Sequence, residues 1–270
     1  MVELDHGWFN VAYLLTLRDG TRVVLKIAPP PGVEVMTYEQ GMMRNELRAL
    51  ALVQKHTSVP VSPVDFADTG HELCEADYFF MPYIDADNLG ILGPTLDKNE
   101  HAALRRAWGT ANRELNSVIG PHFGSLAGPG DIGWRRVFTD MVEQVLRDGE
   151  HRDVGLGWDY GLLRLLVSDH EAVLDEVVEP RFVEWDLWDG NVMVRDGVLV
   201  SILDHEHAVY GDPLIESGFV ATPLPGFGDP EPVHAGLRPS AAERVPDAAS
   251  PFVLPAPDPR HDHRDRLPGP

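Results

Sequence analysis

The stretch from Phe182 to Glu206 constrains this chain more than any other. An apolar run (Val192-Met193-Val194) is followed by Arg195-Asp196-Gly197 and a second apolar run, Val198 to Leu203. Apolar, β-branched runs split by Asp-Gly predict a tight hairpin. Asp186 and Asn191 lie on the loop that precedes it, and Asp204 ends its second strand. Folding the hairpin therefore returns Asp204 to the loop, placing two carboxylates and one amide together. Phosphoryl transfer from ATP needs this donor set: one carboxylate takes or orients the proton of an acceptor hydroxyl, while the amide and the other carboxylate hold Mg²⁺ on the phosphates. Asp196 is read as a turn residue only.

A second hairpin is expected from Val11–Leu17 and Thr21–Ile27 around Arg18-Asp19-Gly20. Lys26 lies inside its second strand. The run Val23-Val24-Leu25-Lys26-Ile27 does not alternate cleanly, which favours burial, and a buried lysine is costly unless paired. Lysines are scarce: Lys26, Lys55 and Lys98 are the three, so 19 of the 22 basic residues are arginine (22 minus 3). Met36 to His56 reads as a helix, with Met43, Leu47, Leu50 and Ala51 at helical spacing. Glu46 and Glu39 both lie on it and compete as partners for Lys26.

At Asp186, Asn191, Asp204 and Glu206 the sequence resembles the aminoglycoside phosphotransferase family, within the wider protein-kinase-like fold. Gly211-Asp212-Pro213 resembles a further family motif, and the wording Asp186-Leu187-Trp188-Asp189-Gly190-Asn191 is similar to that of fructosamine kinases. The resemblance covers roughly residues 4–219. It implies an α+β, bilobal fold: a small antiparallel-sheet N-lobe over 1–84, a mainly helical C-lobe over 85–220, and an irregular tail. It implies Asp186 as catalytic base, Asn191 and Asp204 as metal ligands, and Lys26 as the residue gripping the phosphates. It favours Glu46 as the partner of Lys26. Asp5 to Asn10 would be the nucleotide loop, with Gly7 and Asn10 against the cofactor. Tyr78 to Ile84 reads as a strand leading to an interlobe hinge, where the Pro82 carbonyl and the Ile84 N–H would meet adenine. One departure stands out. The family's histidine two positions before the catalytic Asp is Glu184 here, which is expected to raise a neighbouring carboxylate pKa or weaken metal binding.

Composition narrows the rest. Hydrophobic residues make up 43% and charged residues 24%, ordinary for a globular protein. The sequence shows no apolar run long enough for a bilayer and no signal-like opening, and its single cysteine, Cys74, excludes an internal disulfide framework. A cytoplasmic setting is the expectation. Cys74 sits between acids and is read as structural. The net charge of -21 disfavours nucleic acid and anionic membranes and suits a cationic acceptor.

Asp97 to Val118 predicts an amphipathic helix capped by Asp97; Trp134–Asp148 and Leu162–Val178 predict two more. Trp185 and Trp188 are read as packing residues. Residues 221–270 hold 12 of the 23 prolines and show no period, so they are expected to be disordered or loosely packed; His261-Asp262-His263 within them is not read as a metal site. The functional expectation is an ATP- and Mg²⁺-dependent kinase acting on a hydroxyl of an aminoglycoside-like or other amino or sugar acceptor. The alternatives are a kinase-like nucleotide binder without activity, or an inactive truncated relative lacking the helices that shape an acceptor pocket.

Overall fold

The computed structural model describes residues 1–4, 9–186, 188–220 and 229–238. The N-terminal part is built on one antiparallel sheet: β1 (Val2–Leu4), β2 (Val11–Thr16), β3 (Arg22–Ile27), β4 (Phe66–Asp68) and β5 (Tyr78–Pro82), in the order β1-β2-β3-β5-β4. The first predicted hairpin forms as β2 and β3, with Val11 opposite Ile27 and Thr16 opposite Arg22. Each strand is one residue shorter than expected. Leu17 N–H donates to the Thr21 carbonyl at 2.8 Å and Asp19 accepts from Thr21 N–H at 2.9 Å, so both residues belong to the turn.

Helix α1 (Met42–His56) packs on this sheet through Met43 and Leu50 against Phe79. It starts six residues later than the periodicity suggests. Gly41 holds φ at 77°, a left-handed value open to glycine, and separates α1 from a 3₁₀ turn at Thr37–Glu39. Glu39 spends its carboxylate on the Met36 N–H at 2.6 Å, within that turn.

Beyond the sheet the chain is mainly helical. Its elements are β6 (Asp87–Asn88), α2 (Leu89–Leu92), α3 (Lys98–Leu115), β7 (Gly124–Ser125), α4 (Trp134–His151), α5 (Tyr160–His170), β8 (Arg181–Val183), β9 (Val192–Arg195), β10 (Val198–Ile202), β11 (Val209–Gly211), α6 (Leu214–Val220) and α7 (Glu231–Leu237). Asp97 caps α3, accepting from the Asn99 and Glu100 N–H groups, while Glu100 reaches back to Asp97 N–H. The core here gathers Trp108, Leu115, Phe182, Val192 and Ile202.

The second predicted hairpin is β9–β10. Asp196 and Gly197 have φ of 53° and 74°, the paired positive values of a two-residue turn whose twist matches the strands. A register shift between Leu199 and Ser201 bulges β10. Leu203 N–H then donates to the Asn191 carbonyl at 2.8 Å, tying the hairpin end to the loop that opens it.

One expectation is corrected. Residues 231–237, inside the segment read as irregular, form α7, which packs along α3. Its prolines do not oppose this: Pro230 is the N-cap residue and Pro232 lies in the first turn, where no helical donor is lost. Gly109 of α3 and Gly236 of α7 set the closeness of the packing; a Cβ on Gly109 would overlap the Val233 carbonyl, and one on Gly236 the Arg106 carbonyl. The remainder of that segment, with His261 and His263, lies outside the described residues.

Candidate active site

Lys26 projects from β3 toward three carboxylates. Its Nζ lies 2.7 Å from Glu46, 2.5 Å from Asp204 and 3.4 Å from Glu206. The sheet supplies the lysine, α1 supplies Glu46, and the end of the β9–β10 hairpin supplies the other two. Burial opposes the charge on Lys26, but Asp204, Glu46 and Glu206 outweigh it and hold its pKa well above the usual lysine value. Burial pushes Glu46 up to about 7, against the pull of Lys26. Glu206 is likewise raised by burial. Asp204 resists burial because of Lys26 and is held below the ordinary carboxylate value. One cation thus serves three acids, and the oxygens of Glu46, Asp204 and Glu206 lie within 4.8 Å of one another.

Asp186 and Asn191 face each other across their loop. The Asn191 amide donates to the Asp186 carboxylate at 2.7 Å and to the Asp186 carbonyl at 3.1 Å. Burial raises the Asp186 pKa, opposed by His207 and the Asn191 hydrogen bond. The loop is pinned at two further points. Asp189 lies 3.1 Å from Arg105 and 3.4 Å from His101, both on α3. Glu216 of α6 accepts from the Glu184 and Trp185 N–H groups at 2.7 and 3.2 Å.

The other expected site residues fall as follows. Asn10 is buried, and its amide donates to Glu206. Gly7 lies outside the described residues. Pro82 ends β5, and its carbonyl accepts from the Ser62 hydroxyl at 3.4 Å; the Ile84 carbonyl accepts from Ala86 N–H at 3.0 Å. Glu39 is not part of the cluster. Glu184 pairs with His205, whose Nδ1 stands 2.8 and 2.9 Å from the two carboxylate oxygens, and it still adds to the rise of the Asp186 pKa, as expected.

Several residues at the site escaped the sequence reading. Asn45, on α1, donates to the Glu206 and Ala208 carbonyls at 2.9 and 2.6 Å and accepts from the Ser125 hydroxyl and the Leu126 N–H at 2.9 and 2.8 Å. It staples the chain after Asp204 to the β7 region. Its position one residue before Glu46 was its one sequence signal. Tyr38 and Trp185 flank His207, with ring centroids 6.0 and 6.5 Å away. These three rings, with Glu206, line a cavity of about 450 Å³ whose far wall is α4. At that wall Arg136 is shared by Asp131 at 3.3 Å and Asp140 at 3.9 Å. Thr37 N–H and hydroxyl both donate to Asp148 (2.5 and 2.8 Å), and Arg152 pairs with Glu34 at 3.1 Å, so the segment before α1 is tied to α4.

With this geometry in hand, the chain can be set beside known proteins. A family model described as the phosphotransferase enzyme family matches residues 1–252. Among curated protein sequences, none matches the chain. Among solved structures, a protein assigned as a fructosamine-3-kinase from Thermobifida fusca YX-ER1 superposes with a TM-score of 0.62 at 18% identity, covering 87% of this chain and 77% of that one. The gentamicin complex of APH(2")-IIa gives 0.61 at 14% identity, covering 87% and 74%. A thermostable mutant of aminoglycoside phosphotransferase APH(4)-Ia, bound to AMP-PNP and hygromycin B, gives 0.57 at 17% identity, covering 87% and 82%. At these identities the likeness is one of fold: α+β, bilobal and protein-kinase-like. Among the described residues no helix is long and apolar enough to cross a membrane.

Proposed function

Because the chain belongs to the phosphotransferase enzyme family, we propose that it moves the γ-phosphate of ATP to a hydroxyl of a small acceptor, with Mg²⁺ as cofactor. The observation that carries this reading is the convergence on Lys26 of Glu46, Asp204 and Glu206, beside the Asp186–Asn191 pair. Nucleotides and aminoglycosides bound to the structural neighbours support it.

The acid cluster fits a hard divalent cation. It offers oxygen donors alone, and three carboxylates against one ammonium leave an excess of negative charge for a divalent ion to neutralise. Asp204 and Glu206, with the Asn191 side-chain oxygen, would hold Mg²⁺; Glu46 stays with Lys26. When bound, the ion neutralises charge developing on the transferred phosphate.

The rest falls to the chain's own residues. Lys26, fixed by Glu46, draws the phosphates to the hairpin end. Asn10 and Pro82–Ile84 bound the nucleotide's side of the cleft. Asp186 is oriented by Asn191 and accepts the proton of the attacking hydroxyl at its carboxylate. Its raised pKa makes it a better base than an exposed carboxylate, because a proton acceptor is most effective with a pKa closer to the working pH. The acceptor enters the cavity between Tyr38, Trp185, His207 and α4, where the surplus of acid over base at its rim favours an amine-bearing alcohol or amino sugar.

The decisive experiment is a transfer assay with Mg²⁺ and γ-labelled ATP over hydroxylated amines, amino sugars and neutral sugars, alongside calorimetric titration with Mg-ATP. Transfer to at least one acceptor, lost in Asp186→Asn while nucleotide still binds, is the expected result. Nucleotide binding with no product on any acceptor would leave a binding protein instead.

A further inference from the structure

Glu184 and His205 are 1% and 0% exposed, and both sit close to the site in sequence: Glu184 two residues before Asp186, His205 directly after Asp204. The His205 ring has an acceptor at both nitrogens. Nδ1 faces the Glu184 carboxylate at 2.8 and 2.9 Å, and Nε2 faces the Ile202 carbonyl at 3.2 Å. A carbonyl only accepts, so Nε2 donates to Ile202, and Nδ1 shares its hydrogen bond with the Glu184 carboxyl.

Burying two titratable side chains is a poor way to gain stability: taking them out of water costs about as much as their contact returns, and apolar residues of like volume do as well. The neighbouring backbone shows what else the pair does. Trp185, directly after Glu184, has φ of 68°, and Asp204, directly before His205, has φ of 67°. For a bulky residue such as Trp185 the left-handed region is costly, whereas Asp tolerates it better, and the costly conformation persists only where the surroundings over-determine it. One end of the pair is further fixed by the 2.7 Å bond from Glu184 N–H to Glu216, and the other by Ile202 at the end of β10.

We propose that Glu184 and His205 are positioning residues: their buried hydrogen-bonded contact bridges the Asp186 loop to the Asp204 loop, holds Trp185 and Asp204 left-handed, and so sets the spacing of the two catalytic-site carboxylates. The proposal rests on the phosphotransfer reading for its kinetic consequence, but not for its structural one. Glu184 both adds to the rise of the Asp186 pKa and forms one half of the bridge.

The test uses the full chain carrying Glu184→Gln, His205→Gln, or both. Turnover of Mg-ATP with the best acceptor is measured per folded molecule, and hydrogen exchange is followed on peptides spanning 183–190 and 203–207. Each single variant should lower kcat about 10- to 100-fold with the KM for ATP changed less than about threefold. Exchange should accelerate in both peptides whichever partner is changed, and the double variant should be no worse than the poorer single. Wild-type kcat in a folded single variant, exchange that accelerates only at the altered residue, or additive losses in the double variant would each overturn the bridge. If His205→Gln fails to melt cooperatively, Glu184→Gln alone decides through its kcat-against-KM split and the 203–207 peptide. A wild type that transfers no phosphate sinks the phosphotransfer reading instead, and the two exchange readouts still decide the bridge.

Discussion

The side-chain amide of Asn191 donates to the carboxylate of Asp186 at 2.7 Å. In the proposed reading one group does two things: its nitrogen fixes the base, and its oxygen faces the cation. Asn191→Ala removes both. We expect kcat to fall about 100-fold or more, within the ~10²–10⁴ range associated with a positioned general base, and the Mg²⁺ concentration for half-maximal rate to rise. Steady-state rates across a Mg²⁺ series check this; a variant with a normal Mg²⁺ requirement would remove Asn191 from the metal.

Lys26→Met leaves Glu46, Asp204 and Glu206 without their shared cation. Breaking a buried pair from one side typically costs ~3–5 kcal/mol, because the remaining charge stays buried. The variant should melt lower than wild type, should lose ATP affinity, and should be stabilised more by added Mg²⁺ than wild type is. Thermal melts with and without Mg²⁺ read this directly. An equal Mg²⁺ shift in both proteins would mean the acids are not a cation site.

Burial lifts Glu216 to about 7 from its ordinary 4.5. The folded carboxyl keeps its proton where the unfolded one has lost it, so this residue draws stability down as pH rises from about 4.5 to about 7, and the loss then levels off. Glu216→Gln has no such titration. Relative to wild type it should be most destabilised near pH 4.5 and least near pH 8. The difference should approach about 3 kcal/mol, at ~1.4 kcal/mol per pH unit. Urea midpoints at three pH values decide it; a constant gap between the two proteins would mean that Glu216 ionises normally in the fold.

Gly236→Ala puts a methyl group into the Arg106 carbonyl at the α3–α7 crossing. Overpacking of this kind costs roughly 1–3 kcal/mol. The same substitution at Gly20, where a Cβ meets nothing but φ is 88°, should cost less than that and only through backbone conformation. Denaturant unfolding of the two variants separates the causes; equal losses would argue against a tight crossing.

Much of this was written in short-range sequence. Asp-Gly between apolar runs located both hairpins, since turn chemistry and strand propensity act over a few residues. The hairpin then ties Leu203 N–H to the Asn191 carbonyl, returning its end to the loop that opens it, and a lone lysine in a strand pointed to its acid partners. What stayed hidden depends on distance along the chain. The pairing of Glu184 with His205 is invisible until β9 and β10 fold, so Glu184 looked like an uncompensated charge. Asn45 was not singled out, because its partners lie 80 or more positions away. Helix α7 was masked by proline counting: at the cap and in the first turn proline does no harm, and composition does not report position. Gly41 shortened α1 for a similar reason, since an αL residue inside an apolar period leaves no mark on the period itself.

The burial of Lys26 carries a practical corollary. Lys55 and Lys98 lie exposed on the surface, while the Lys26 side chain is 11% accessible. An amine-acylating reagent would modify the first two readily and reach the third only through the cleft. With three lysines in the chain, a peptide map would report the accessibility of Lys26, with the other two as internal references.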